Sequence, residues 1–171
     1  RNLLGPDAME RAVGDITRAS IHRLEGKLDE ALEESEKLLQ RARKEGWKAL
    51  LPSALHEHGS SLLAKGRLRE AALELESARG GFEAIGDSRG ASEAAVTLGY
   101  ALRDLGELKA AASAFEDGIL VGGAADEGIE VPAALMGLGN VRIAQGDYLG
   151  AEENLLRAVG LLEQAGQLQG L

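Results

Sequence analysis

The 171-residue sequence contains no cysteine, which excludes disulfides and thiolate metal sites and suits a reducing cytoplasm. No uncharged apolar stretch approaches the roughly 20 residues that a membrane-spanning helix needs, and no charged-then-apolar leader is visible. Positive charge is scarce. Nineteen Lys and Arg stand against 28 Asp and Glu, a net charge of -9, so long-range repulsion disfavours nucleic acid as a partner. The acids cluster as a solvated helix face would, as in Asp29, Glu30, Glu33, Glu34 and Glu36. His56, Glu57 and His58 invite a metal reading, but residues two apart point to different faces of a helix, and His22 is the only other histidine. There is no strand followed by a glycine-rich phosphate loop, no nucleophile elbow and no convergent acid, base and nucleophile. The expectation is a chain that is not an enzyme and carries no cofactor.

What is present is a period. Gly26, Gly66, Gly106 and Gly146 stand 40 residues apart. Two positions after each comes Leu28, Leu68, Leu108 or Tyr148, then Ala31, Ala71, Ala111 or Ala151, and seven positions before it stands Ala19, Gly59, Gly99 or Gly139. A fixed period of this length marks an array of supersecondary units stacked into a solenoid. Within the second repeat, Leu55, Leu62 and Leu63, then Leu68, Leu73 and Leu75, keep the three- and four-residue spacing of an apolar helix face. The glycine between them can take the left-handed conformation that ends one helix and lets the next begin. A second series, Gly46, Gly86 and Gly166, marks turns between repeats, and Asp126 breaks it in the third. Small residues such as Gly59 facing Ala71, or Gly139 facing Ala151, allow helix axes to approach closely.

The spacing predicts first helices at about 8–25, 48–65, 88–105 and 130–145, and second helices at about 28–45, 68–85, 108–121 and 148–165. The second helix of the third repeat is expected to be the weakest, because Gly118, Gly122 and Gly123 each cost up to about 1 kcal/mol relative to alanine in a helix interior. Trp47 is expected to pack across the first two repeats, with an exposed binding anchor as the alternative.

These features together resemble the tetratricopeptide repeat, whose first helix carries a Leu-Gly pair and whose second begins Gly-x-Tyr/Leu-x-x-Ala. Here the pair is Leu98-Gly99 and Leu138-Gly139, and the second element runs from Gly106 and Leu108 to Ala111 and from Gly146 and Tyr148 to Ala151. Phe115, Ala78 and Ala158 match later positions of the pattern. The first copy departs with Arg18, His22 and Ser35. His58, Arg142 and Gly118 depart in the second, fourth and third. The period of 40 resembles the longer variety found in bacterial signalling regulators and peptide-binding adaptor proteins.

The resemblance implies an all-α, right-handed superhelical solenoid of about four antiparallel helix pairs, with repeats at about 8–46, 47–86, 87–127 and 128–166, forming one domain over 1–171. It also implies a concave surface lined by the first helices, through Ile16, Ser20 and Arg23; Ser53, His56, Ser60 and Leu63; Glu93, Val96, Tyr100, Arg103 and Asp104; and Ala133, Met136, Asn140 and Ile143. Of these, Arg23, His56, Ser60, Tyr100, Arg103 and Asn140 are the candidate partner-binding residues. Arg23 and Arg103 occupy the same place two repeats apart and suit bidentate grip on peptide carboxylates, with pairing to acids of the chain itself as the alternative. The lysine and asparagine clamp of the chaperone-tail type is not matched, since Ile16, Ser20 and Glu93 stand at its positions, although Asn140 fits an asparagine that holds a ligand backbone.

The expected function is a protein- or peptide-binding scaffold, cytoplasmic and without membrane attachment. The alternative is a signal-sensing segment of a larger bacterial regulator. The closing residues, Gly166 to Leu171, fall in register with Gly86 to Ala91, which open a first helix, so the array is expected to be an excerpt cut in mid-repeat. Leu155, Leu162 and Leu168 would then expose apolar surface and favour self-association through the terminal helices.

Overall fold

A computed structural model describes residues 5–124 and 130–169, with the side chains at 6, 124 and 167–169 outside that description. Among the described residues there are eight α-helices and no strand: α1 (Pro6–Leu24), α2 (Leu28–Glu45), α3 (Leu51–Ala64), α4 (Leu68–Ile85), α5 (Ser88–Asp104), α6 (Leu108–Ala124), α7 (Glu130–Gln145) and α8 (Tyr148–Gln169). They form four pairs, as the 40-residue period predicts. The chain divides into two compact units, Arg1–Asp87 with α1 to α4 and Ser88–Leu171 with α5 to α8. No described helix is long and apolar enough to cross a membrane.

The turns follow the glycines. Gly46 ends α2 with φ 67°, and the next residue donates its amide to the Ala42 carbonyl at 2.9 Å, closing the helix with the six-to-one bond that the left-handed residue makes geometrically accessible. Gly86 ends α4 in the same way, with the Asp87 amide on the Phe82 carbonyl. Gly166 does not. α8 runs through it to Gln169, because continuing the helix satisfies the same carbonyls without a reversal. The break in this series at Asp126 lies outside the described residues.

In unit 1, α1 packs on α2 and α3, α2 on α3, and α3 on α4. Ala12, Ala19, Ala31 and Ala71 are fully buried, with Leu38, Leu39, Leu62 and Leu75 filling the space between helices. Gly59 lets α4 come close, but its near neighbour is Leu75 rather than Ala71. A Cβ at Gly59 would stand 2.7 Å from Leu75 Cγ, because the small residue opens a hole one turn further along the facing helix. Trp47 is half-buried beside a shallow depression lined by Ala8, Arg11, Arg41 and Glu45, so it packs towards the first repeat.

In unit 2, α5 packs on α6 and α7, α6 on α7, and α7 on α8. Its core centres on the fully buried Phe115, with Val96, Ala111, Ala134, Leu138 and Val141 around it. Gly139 likewise faces Leu155, 2.9 Å from where its Cβ would be. α6 is not broken by its glycines. Gly118 gives room to Val96, and Gly122 gives room to Ser92 and Val131, so the propensity cost is offset by close packing. The buried Ser92 hydroxyl donates to the Gly118 carbonyl at 2.8 Å, tying α5 to α6.

Candidate functional site

In unit 1, the first helices α1 and α3 bring Ser20, Arg23, His56, Glu57 and Ser60 to one seam. Ser20 Oγ donates to Glu57 Oε2 at 2.7 Å, and Arg23 Nε stands 3.5 Å from Glu57 Oε1, an ion-pair distance. Glu57 is buried, and desolvation raises its carboxyl pKa above the usual range against the opposing pull of the Ser20 hydroxyl and the Arg23 charge. His56 is partly buried. Desolvation, and then the Arg23 charge, hold its pKa down to about 4, so the imidazole is neutral near pH 7. Ser60 is buried rather than presented to a partner, because α3 turns it into the helix layer.

Glu57 is the functional-looking residue that the groove positions do not include. Its partner Ser20 is 37 residues away, one repeat minus one helical turn. His58 belongs elsewhere. Its Nδ1 lies 3.9 Å from Glu74, on the α4 side, and burial lowers its pKa. His22 pairs instead with Glu34. The three histidines therefore have separate surroundings.

In unit 2, Tyr100 on α5 is half-buried. Its hydroxyl donates to the Ala133 carbonyl of α7 at 3.1 Å, and its ring meets Phe115 edge-on at 5.1 Å between centroids. The Arg103 guanidinium lies over the outer side of that ring, 5.1 Å from its centroid. Arg103 also donates from Nε and Nη2 to Asp104 Oδ1, at 2.9 and 2.7 Å. Asn140 is exposed on α7, and the exposed Met136 and Ile143 flank it one helical turn away on either side. Val96, expected on the same surface, is buried against Phe115.

Both arginines are therefore paired with acids of their own chain. The two pairings differ in kind: Arg103 is hydrogen-bonded to Asp104, whereas Arg23 Nε only stands at ion-pair distance from Glu57. What unit 2 leaves open is the outer side of an Arg-over-Tyr stack and a Met, Asn and Ile stripe on the next helix of the same layer. These exposed groups present apolar side chains and one side-chain amide.

No protein-family model matches the sequence, and no curated protein is significantly similar to it. The fold is well represented among solved structures. BtubC (BKLC) from P. vanneervenii superposes with a TM-score of 0.79 at 16% identity, over 96% of this chain and 67% of that one. TPR-like repeats from Podosopora anserina, described as those of a kinesin light chain and nearly identical to one another, superpose with a TM-score of 0.73 at 19% identity, over 90% of this chain and 76% of that one. A single-substitution form of the same repeats matches equally well. The chain thus has the fold of the tetratricopeptide-like repeat, an all-α array of antiparallel helix pairs.

Proposed function

We propose that this chain is a non-enzymatic protein- or peptide-binding module that uses the faces of its first helices. The reading is carried by the surface of unit 2, where Arg103 stacked on Tyr100 is accompanied by exposed Met136, Asn140 and Ile143. Stacked arginine, half-buried tyrosine and exposed methionine are the side chains that interface cores favour. An exposed asparagine amide can pair with a ligand backbone through both its donor and its acceptor. The matching face of unit 1 offers Arg23 and neutral His56 beside the buried Glu57. The tetratricopeptide-like fold is commonly a scaffold for protein interaction, and stacked repeats present extended surfaces suited to it.

Selection from a random peptide library against the chain, followed by fluorescence anisotropy on the selected peptides, tests the proposal. Tyr100→Ala, Arg103→Ala and Asn140→Ala are each expected to weaken binding, with the strongest effect about 30-fold or more, as for interface hot spots. Glu33→Ala and Glu34→Ala are expected to change it by less than about twofold. Peptides whose affinity falls with Glu33 or Glu34 and ignores Tyr100, Arg103 and Asn140 would place binding on another surface.

A further inference from the structure

The seam between α1 and α3 is built differently from its counterpart two repeats later. In unit 2 the matching positions carry Tyr100, the fully buried Phe115 and Gly137, an aromatic filling without charge. In unit 1 the same positions carry Ser20, the fully buried Ser35 and Glu57. The Ser35 hydroxyl donates to the Leu32 carbonyl of its own helix at 3.0 Å, while Glu57 reaches Ser20 and Arg23 on α1. Packing alone favours the apolar solution, since buried ion pairs can often be replaced by apolar side chains without loss of stability. The carboxylate buried at this seam serves the arginine it meets.

Arg23 and Arg103 share a register but not their surroundings. Arg103 commits Nε and Nη2 to the adjacent Asp104. At the place of Asp104 unit 1 carries Leu24, so Arg23 has no acid beside it in sequence. Among the described residues Arg23 pairs with Glu57, through a buried Nε, and neither Nη makes a hydrogen bond. The Arg23 side chain is 29% exposed and that of Glu57 6%. The guanidinium thus sets Nε towards the buried acid and keeps its two Nη groups uncommitted.

We propose that Arg23 is a carboxylate-binding residue, held through Nε by Glu57, and that the partner engaged by unit 1 presents an Asp or Glu side chain or a chain-terminal carboxylate. The two Nη groups form one edge of a planar fork that matches a carboxylate. The inference rests on reading the first-helix faces as the binding surface, and adds the chemistry of the partner. It also makes binding depend on pH. A carboxylate on the Nη edge repels the Glu57 charge, and burial already favours the neutral acid. The ligand therefore binds better when Glu57 is protonated, and affinity falls as the pH rises through the raised pKa. Among the described residues Arg23, with the neutral His56 beside it, supplies the charge that faces Glu57. The helices α2 and α4, which pack on α3, turn Glu34 to His22 and Glu74 to His58 instead.

The probes are N-acetylglycine, whose acid is a chain terminus, and the α-amide of N-acetylglutamic acid, whose acid is a side chain. Each is titrated into the 171-residue chain at constant ionic strength while NMR follows the His56 ring and, in the wild type, the Arg23 Nε–H group. Saturable shifts in the millimolar range are expected from at least one probe, and the tighter one gives the source of the carboxylate. Arg23→Gln is expected to weaken binding at least about tenfold. Arg23→Lys, which keeps the charge and loses the fork, is expected to weaken it about threefold or more. Lys37→Gln removes the same charge from an exposed site on α2 and is expected to change binding by less than about twofold. Near pH 8 Glu57→Gln is expected to bind more tightly than the wild type, with the gap closing as the pH falls. Failure of both probes to bind would overturn the inference, as would binding that ignores Arg23→Gln or a Glu57→Gln variant no tighter than the wild type near pH 8. If circular dichroism shows Arg23→Gln unfolded, Arg23→Lys carries the comparison. Peptides that bind through Tyr100 while both probes bypass Arg23 would overturn this inference alone, and probes held at Arg23 with no peptide bound would sink the proposed function alone.

Discussion

The ring of Phe115 occupies the space that a side chain at Gly137 would need, since a methyl group there would stand 2.5 Å from Phe115 Cζ. Phe115 is fully buried, so it cannot swing outward to make room. Gly137→Ala is therefore expected to destabilise by about 1–3 kcal/mol through overpacking, even though alanine is the better helix former. Gly80, mid-helix in α4 with nothing within 4 Å of its Cβ position, provides the opposite case. Gly80→Ala is expected to stabilise by up to about 1 kcal/mol. Urea unfolding of the two variants measures both, and equal signs would contradict the packing described.

Ser92 and Gly118 form the buried polar link between α5 and α6. Ser92→Ala removes the donor and leaves a carbonyl whose helical partner remains, so the expected loss is about 1 kcal/mol, measured by the same denaturation. A loss above about 3 kcal/mol would mean that the carbonyl depends on the serine alone.

His56 gives the fold a pH dependence of definite sign. Its folded pKa of about 4 lies below the ordinary 6.5, so between those values the unfolded chain takes up a proton that the folded chain refuses. The stability from this group is full above about pH 6.5 and is lost as the pH falls towards 4, on the order of 3 kcal/mol in all. Glu57 acts in the opposite sense. Its raised pKa favours the fold at low pH and loses that contribution as the pH rises through the folded value. An NMR titration of the His56 ring is expected to show a midpoint near 4. Arg23→Gln should raise the midpoint while leaving it below 6.5, because burial is the larger cause. A midpoint of 6.5 in the wild type would contradict the surroundings assigned to the ring.

The period of 40 carries most of the fold. Second helices begin at Leu28, Leu68, Leu108 and Tyr148, where the sequence places them, because glycine, turn and apolar face recur together. Departures arise where local chemistry overrides the repeat. α3 starts at Leu51 rather than near 48, with Pro52 in its first turn and a hydrogen-bonded turn from Trp47 before it. α8 passes through Gly166, since a glycine permits a left-handed turn without requiring one. The site is less legible. The register puts Tyr100, Arg103 and Asn140 on the helix layer, but Ser60 and Val96 are buried at positions of the same kind. Which side of a first helix faces its neighbour depends on crossing geometry, which periodicity alone does not contain. The Ser20 to Glu57 bond is hidden for the same reason, being a contact between repeats with no local signature.

Among the described residues of each unit, every helix packs on its first or second neighbour along the chain, from α1 on α2 and α3 to α7 on α8. Contacts so near in sequence require little loop closure before they form, which places such arrays among the fast folders, in roughly microseconds to milliseconds. Aggregation-prone intermediates with long unpaired segments therefore have little time to accumulate. The same locality allows a turn of helix to open near one end while the packing several helices away stays intact, so that hydrogen exchange would grade along the chain rather than report one global event.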